Sequence, residues 1–261
     1  MAIPRHFGLL VIGDEILTGK RRDSHCAHVI ETLARRGAQL AWARFAADDY
    51  CRLARDLELS AKDTVPVFCF GGIGATPDDL TRQAAAEAFA APLVRNPEAA
   101  HMIEARFGAA AYPNRIRMAD LPEGCALIPN AYNRIPGFSL REHHFLPGFP
   151  EMAWPMLDWV LDRYYPGARL LQREASLRVM QVRESDLLEL MEALAGRHPA
   201  ARLFSLPHLG EVNEIEIGFR GEQAAVADAL ADLVSCLQQR ELRYRVLRTA
   251  EDAPGLTRSA V

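Results

Sequence analysis

The 261-residue sequence predicts an α/β protein whose larger part is built on a mostly parallel sheet, followed by a small α+β domain. Three observations predict this. Short apolar runs alternate with longer amphipathic ones over the first ~165 residues, as in a parallel sheet crossed by helices. A buried-type strand, Val65 to Phe70, breaks directly into the glycine-rich segment Gly71-Gly72-Ile73-Gly74. The periodic pattern then stops at Tyr165-Pro166-Gly167, which places a domain boundary there, with residues 1–166 before it and 167–261 after it.

Each element follows from local pattern. Phe7 to Ile12 is an apolar strand run, Ser24 to Arg36 has helical periodicity, and Gly37 is its stop. Gln39 to Ala46 reads as a second strand and Tyr50 to Ser60 as a helix. After the third strand, Asp78 to Ala90 is alanine-rich and helical. A helix is expected from Glu98 to Phe107, then a Pro- and Gly-punctuated stretch from Pro113 to Gly137, a strand near His143 to Leu146, and a helix from Glu151 to Tyr164. In the second domain the pattern predicts strands at Leu171 to Val179, Ala201 to Leu206, Glu214 to Arg220 and Tyr244 to Leu247. Its helices are Glu184 to Ala195 and Glu222 to Gln239, and a polar tail is expected to fray.

Composition narrows the classes. Hydrophobic residues make up 49% and charged residues 25%, ordinary for a folded soluble protein. A net charge of −4 offers no global attraction for nucleic acid or an anionic membrane, so neither is expected as a partner. The five cysteines are scattered without a C-x-x-C pair, which argues against a disulfide framework or zinc site and for reduced, mostly buried thiols. The run from Phe7 to Ile12 is too short for a signal peptide or membrane span, which makes the cytoplasm the expected location.

The chemistry concentrates where strands end. Gly71, Gly72 and Gly74 let the backbone approach a ligand, and the following helix start, with Thr76 and Pro77, presents free N–H groups to an anion. Asp78 and Asp79 stand at the same place and would repel a bare phosphate unless one caps the helix or a divalent cation mediates. The dinucleotide fingerprint fails because Pro77 occupies the position of its third glycine. The P-loop pattern fails because five residues separate Gly13 from Gly19, and Arg21 stands where a magnesium-binding hydroxyl belongs. Two further acidic exits, Gly13-Asp14-Glu15 and Asp48-Asp49, follow the first two strands. Any one pair could be a helix cap. Three on one rim point to a magnesium-type ion bridging phosphate oxygens, with a free carboxylate to orient or deprotonate water. Ser24-His25 reads as a cap rather than a nucleophile and base, and His25 with His28 as surface or core residues. His143 and His144 point to opposite strand faces and cannot chelate together.

Gly13-Asp14-Glu15-Ile16-Leu17-Thr18-Gly19, Asp48 and the segment from Gly71 to Thr81 together resemble the molybdopterin-binding fold family. Leu146-Pro147-Gly148-Phe149-Pro150-Glu151-Met152 and Arg183 to Leu187 are similar to segments of its CinA-like branch. The resemblance covers nearly the whole chain. It implies a three-layer α/β domain whose rim binds a pterin or a dinucleotide diphosphate, with Asp48 and Asp79 as functional, metal-holding carboxylates and magnesium or a similar divalent ion as cofactor. It adds Gly148, Pro150 and Glu151 to the ligand-binding set. The expected activity is metal-dependent hydrolysis of an ADP-ribose-like dinucleotide. Binding or adenylylation of molybdopterin, and ligand binding without turnover, are the alternatives. A homodimer is implied, with a trimer as the other state; Trp154, Met156, Leu157 and Trp159 form an apolar helix face for that contact or for packing on the sheet. Three departures stand out: Ala75 for a loop proline, His25 for an asparagine, and Asn133-Arg134-Ile135 for a small hydroxyl stretch, which puts a cation beside the pocket. The deamidase domain that follows in full-length members of this branch is not found in the sequence, so that activity is not expected.

Overall fold

The computed structural model describes residues 6–166, 173–208 and 213–249. The chain separates into two compact units, Met1–Leu33 with Ala38–Ala168, and Ala34–Gly37 with Arg169–Val261. The expected fraying tail and the first two residues of the strand expected from Leu171 lie outside the described residues.

The first unit runs β1 (His6–Ile12), α1 (Asp14–Leu17), α2 (His25–Arg35), β2 (Gln39–Ala46), α3 (Tyr50–Ser60), β3 (Val67–Phe70), α4 (Thr81–Ala88), β4 (Leu93–Arg95) and α5 (Pro97–Phe107). It continues with β5 (Asp120–Pro122), β6 (Ala126–Ile128), β7 (Gly137–Leu140), β8 (His143–Leu146) and α6 (Pro150–Tyr164). Its six-stranded sheet has the order β2-β1-β3-β8-β7-β6, parallel from β2 through β8 and antiparallel beyond. Strand side chains alternate between two buried faces. Phe7, Leu9, Val11, Phe68 and Phe70 pack against α2 and α6, whereas Leu10, Ile12, Val67 and Cys69 pack against α3, α4 and α5. That is a three-layer sandwich, and each large side chain so buried stabilises it by about 1.5–3 kcal/mol.

One expectation changes here. The stretch from Pro113 to Gly137, read only as punctuated by Pro and Gly, supplies β5, β6 and the start of β7. On α6, Met156 and Leu157 are buried in the core and Trp154 and Trp159 pack against it, so this face covers the sheet, one of the two roles expected of it. The thiols are free, but only Cys69 is buried; Cys51 is exposed and the others are half-buried.

The second unit is α+β. An antiparallel sheet ordered β10 (Ala201–His208), β11 (Glu214–Gly221), β9 (Arg173–Met180), β12 (Tyr244–Arg248) is covered by α7 (Leu188–Arg197) and α8 (Gln223–Gln239). Leu177, Ile217 and Phe219 meet Leu194, Leu233 and Leu237 in its core. Among the described residues no helix is long and apolar enough to cross a membrane.

Candidate functional site

The chain leaves β1 towards β2 on one side and returns to β3 on the other, so the sheet changes direction between β1 and β3. Crevices open at such switch points, beyond the carboxyl ends of the strands. Here the crevice is a cleft of about 440 Å³, within the range of small-molecule sites. Gly13 and Glu15 after β1, Asp48 after β2, Gly71 to Thr76, Asp78 and Asp79 after β3, and Gly148 after β8 all line it.

The loop's shape requires glycine at its start. Gly71 has φ +108° and a Cβ there would lie 2.2 Å from the Ile12 carbonyl oxygen; Gly72 has φ +68° and its Cβ would lie 2.2 Å from Thr81 Oγ1. The Gly71 N–H donates to Leu146 O and the Thr76 N–H to Asp79 Oδ2. Among the described residues, the N–H groups of Gly72 through Ala75 have no protein acceptor, which makes an anion cradle.

Each acidic pair divides its labour. Asp49 caps α3, accepting from the Arg52 N–H at 2.9 Å, and Asp48 turns to the cleft. Asp14 lies beside the cleft rather than in its wall and braces Asp48: its N–H donates to Asp48 Oδ2 at 3.0 Å, and the Asp48 N–H donates to Asp14 Oδ1 at 3.3 Å. Partial burial raises the Asp48 pKa above the ordinary carboxylate range; the Asp14 N–H opposes this, and the charges of Asp14, Glu15 and Asp78 add to it.

The expectation that Asp78 and Asp79 open the helix is corrected. Leu80 is the N-cap and α4 begins at Thr81, whose N–H and hydroxyl bond back to Gly72 O and Gly71 O at 3.0 and 3.1 Å. Asp79 instead bolts the loop, taking both the N–H and the hydroxyl proton of Thr76 through Oδ2. The Thr76 hydroxyl, expected to hold phosphate, is thereby engaged.

Two more positions move. Pro150 lines a smaller neighbouring cavity with His25, and Glu151 lines neither, because it points to solvent from the first turn of α6. Phe149 and Met152, three residues apart, take the cleft-facing side. Arg134 is absent from the cleft wall: it is a turn residue at φ +62°, and Asn133 and Ile135 face the cleft instead. The cation there is Arg21, which also stacks over Phe149. His25 is buried and stacked on Phe70; its Nε2–H donates to Gly148 O at 3.1 Å, and burial lowers its pKa. His28 stacks on Trp154, so the two histidines share no ligand.

Sequence reasoning missed Arg82. The residue is 3% exposed, and its guanidinium donates to Gly74 O at 2.7 Å, to Asp120 O at 3.1 Å and to Arg117 O. The only sequence signal was a cation in the first turn of the alanine-rich α4. Asn130, buried in the wall, was hidden in the unassigned stretch.

The donor set bears on the expected ion. Among the described residues no group of three or more His, Cys, Asp or Glu side chains is arranged to hold a metal. Magnesium commonly takes one or two carboxylates and completes its shell with phosphate and water, and Asp48 with Glu15 or Asp78 fits that mode rather than a protein-only cage.

Comparison with known proteins agrees with this architecture. Residues 8–166 match the family described as probable molybdopterin binding domain. A CinA-like protein of Citrifermentans bemidjiense is 31% identical over 253 residues, covering 94% of this chain and 60% of the relative. One from Gloeobacter violaceus is 30% identical over 233 residues, covering 85% and 54%. The chain therefore spans about 60% or less of the length of these relatives. The crystal structure of the protein CinA, of unknown function, from Thermoplasma acidophilum aligns with a TM-score of 0.56 at 25% identity, covering 60% of this chain and 96% of that one. The chain belongs to the probable molybdopterin-binding domain family, and its relatives there are CinA-like proteins.

Proposed function

We propose that the cleft binds a molybdopterin-type ligand, a heterocycle carrying a phosphate, together with a nucleotide, and adenylylates it. The observation that supports this reading is the run of free N–H groups from Gly72 to Ala75 in a cleft that also holds Asp48 and an apolar wall of Ile73, Met118, Ile135 and Met152. Ile73, Met118, Ile135 and Met152 offer a heterocycle its flat contacts, and Asn130 offers an amide. The loop N–H groups hold phosphate oxygens. The ligand's phosphate oxygen attacks the nucleotide's α-phosphorus, and pyrophosphate leaves. Magnesium, when bound, supplies charge neutralisation for the phosphates. Asp48 and Asp79, the expected metal carboxylates, differ in role: Asp48, with Glu15 and Asp78 near, would hold the ion, and Asp79, whose Oδ2 shapes the loop, would contribute at most Oδ1.

One observation favours a second reading, hydrolysis of an ADP-ribose-like dinucleotide. The raised pKa of Asp48 suits a carboxylate that takes a proton from water. One experiment separates the two: titrate molybdopterin by its fluorescence, then incubate the protein with magnesium and either molybdopterin plus ATP, or ADP-ribose, FAD or NAD alone. Adenylylated pterin is expected, and Asp48→Asn should lower its formation at least about tenfold. AMP from a dinucleotide without pterin binding moves the assignment to hydrolysis. Neither product, with no pterin binding, removes both. Self-association as a dimer, or as a trimer, is read by sedimentation; it must use a surface other than the buried face of α6.

A further inference from the structure

A second groove, about 470 Å³, lies on the other side of the phosphate loop, with Ala75 and Thr76 lining both it and the acidic cleft. Its polar wall is Thr76, Tyr112, Asn114, Arg115 and Arg117, and no carboxylate lines it. The contrast with the cleft is sharp, because there four acids face one arginine. Tyr112 is engaged with Glu104, and Arg115 is held by Ala110 O at 2.7 Å and by the Phe107 ring, 4.8 Å below it. The Arg117 side chain has no protein partner among the described residues, so two guanidinium groups with free donors share one groove.

Arg82 ties this groove to the loop. Nη2 holds Gly74 O while Nη1 holds Arg117 O and Asp120 O, so one buried cation fixes the loop and the arginine segment in register. Planar guanidinium forks without acidic partners bind phosphoryl oxygens in paired hydrogen bonds.

We propose that this groove is a second anion subsite, which takes a further phosphoryl group of a ligand whose first phosphate lies in the acidic cleft across Ala75 and Thr76. It rests on the reading of the cleft as a nucleotide-phosphate site. The ligand class is a nucleotide with a phosphate chain, lying over the loop with one end near Asp48 and the other between Arg115 and Arg117.

Calorimetric titration with AMP and with ATP, both with magnesium, tests it. Wild type is expected to bind ATP at least about tenfold tighter than AMP. Arg117→Glu, at an exposed position, should weaken ATP at least about tenfold and AMP less than about twofold; Arg115→Gln should do the same more weakly. AMP binding with no gain for ATP, or an ATP affinity untouched by Arg117→Glu, overturns the subsite and leaves the cleft intact. Absence of binding by either nucleotide overturns both.

Discussion

The two ends of the six-stranded sheet each gather polar side chains, and they do it in opposite ways. Where β8 begins, Ser139 Oγ lies 2.8 Å from His144 Nδ1, His144 Nε2 lies 2.7 Å from the Tyr165 hydroxyl, and that hydroxyl donates to Glu142 at 2.7 Å. Because Tyr165 gives its proton to Glu142, it accepts from His144 Nε2–H, which leaves Nδ1 to accept from Ser139. Every member has a partner and the ring is neutral. Where the same strands end, carboxylates crowd one another, N–H groups stand open and a cleft admits solvent. A saturated network holds a fold; an unsaturated one of like charges awaits a ligand.

The comparison can be broken most severely beneath the cleft. Arg82→Met takes a buried donor from three carbonyls and is expected to lower the unfolding free energy by about 3 kcal/mol, and to weaken phosphate binding as the loop loosens. Arg82→Lys should recover only part, because one ammonium cannot reach both sides. Chemical denaturation alongside ligand titration checks this.

Acid separates the ends next. His144 is held down to about 3 from an ordinary 6.5, by burial first and the neighbouring His143 second. A folded pKa below the unfolded one means the unfolded chain takes the proton first. The contribution is therefore complete above 6.5 and drains as pH falls towards 3, a loss on the order of 2 kcal/mol by pH 5. His143 and His25, both lowered by burial, act in the same direction. Denaturation midpoints at pH 7 and 5 read it, and His144→Asn should flatten the profile.

Tyr165→Phe probes the saturated end alone. It leaves His144 Nε2–H without its acceptor, at an expected cost of about 1.5 kcal/mol, with ligand binding unchanged. The smallest effect has the opposite sign. The Asp48 pKa is raised above 3.8, so this group's contribution is present below 3.8 and is lost as pH rises through the raised value. Asp48→Asn should therefore raise the melting temperature slightly at neutral pH while removing activity. A lower melting temperature would mean that Asp48 holds the fold rather than the ligand.

Local pattern made much of this legible. The unbroken apolar runs Phe7 to Ile12 and Val67 to Phe70 mark strands buried on both faces, and glycine at 71 and 72 marks a turn that L side chains cannot make. The acids after the first three strands mark the rim. Local pattern does not separate Asp48 from Asp49, because a cap and a site residue have the same chemistry until the helix axis is set; only the family resemblance pointed to Asp48. The strands β6 and β7 are three and four residues long and carry too little periodicity to be seen. The turn joining β7 to β8 uses Arg141 and Glu142 at positive φ, without the glycine that announces such a turn. Bonds from His143 Nδ1 to Arg141 O and from Tyr165 to Glu142 hold it.

By itself the sequence determined the succession of strands and helices, the glycine turn after β3 and the acidic character of one rim, because apolar runs, helix periodicity and glycine conformation are properties of neighbours along the chain. Only the tertiary structure decided which acids line the cleft, that Asp79 bolts the loop, that Glu151 and Arg134 stand apart, and that Arg82 joins two grooves. Those outcomes depend on distances between residues far apart in sequence, such as the 34 positions between Asp14 and Asp48, and packing alone sets them.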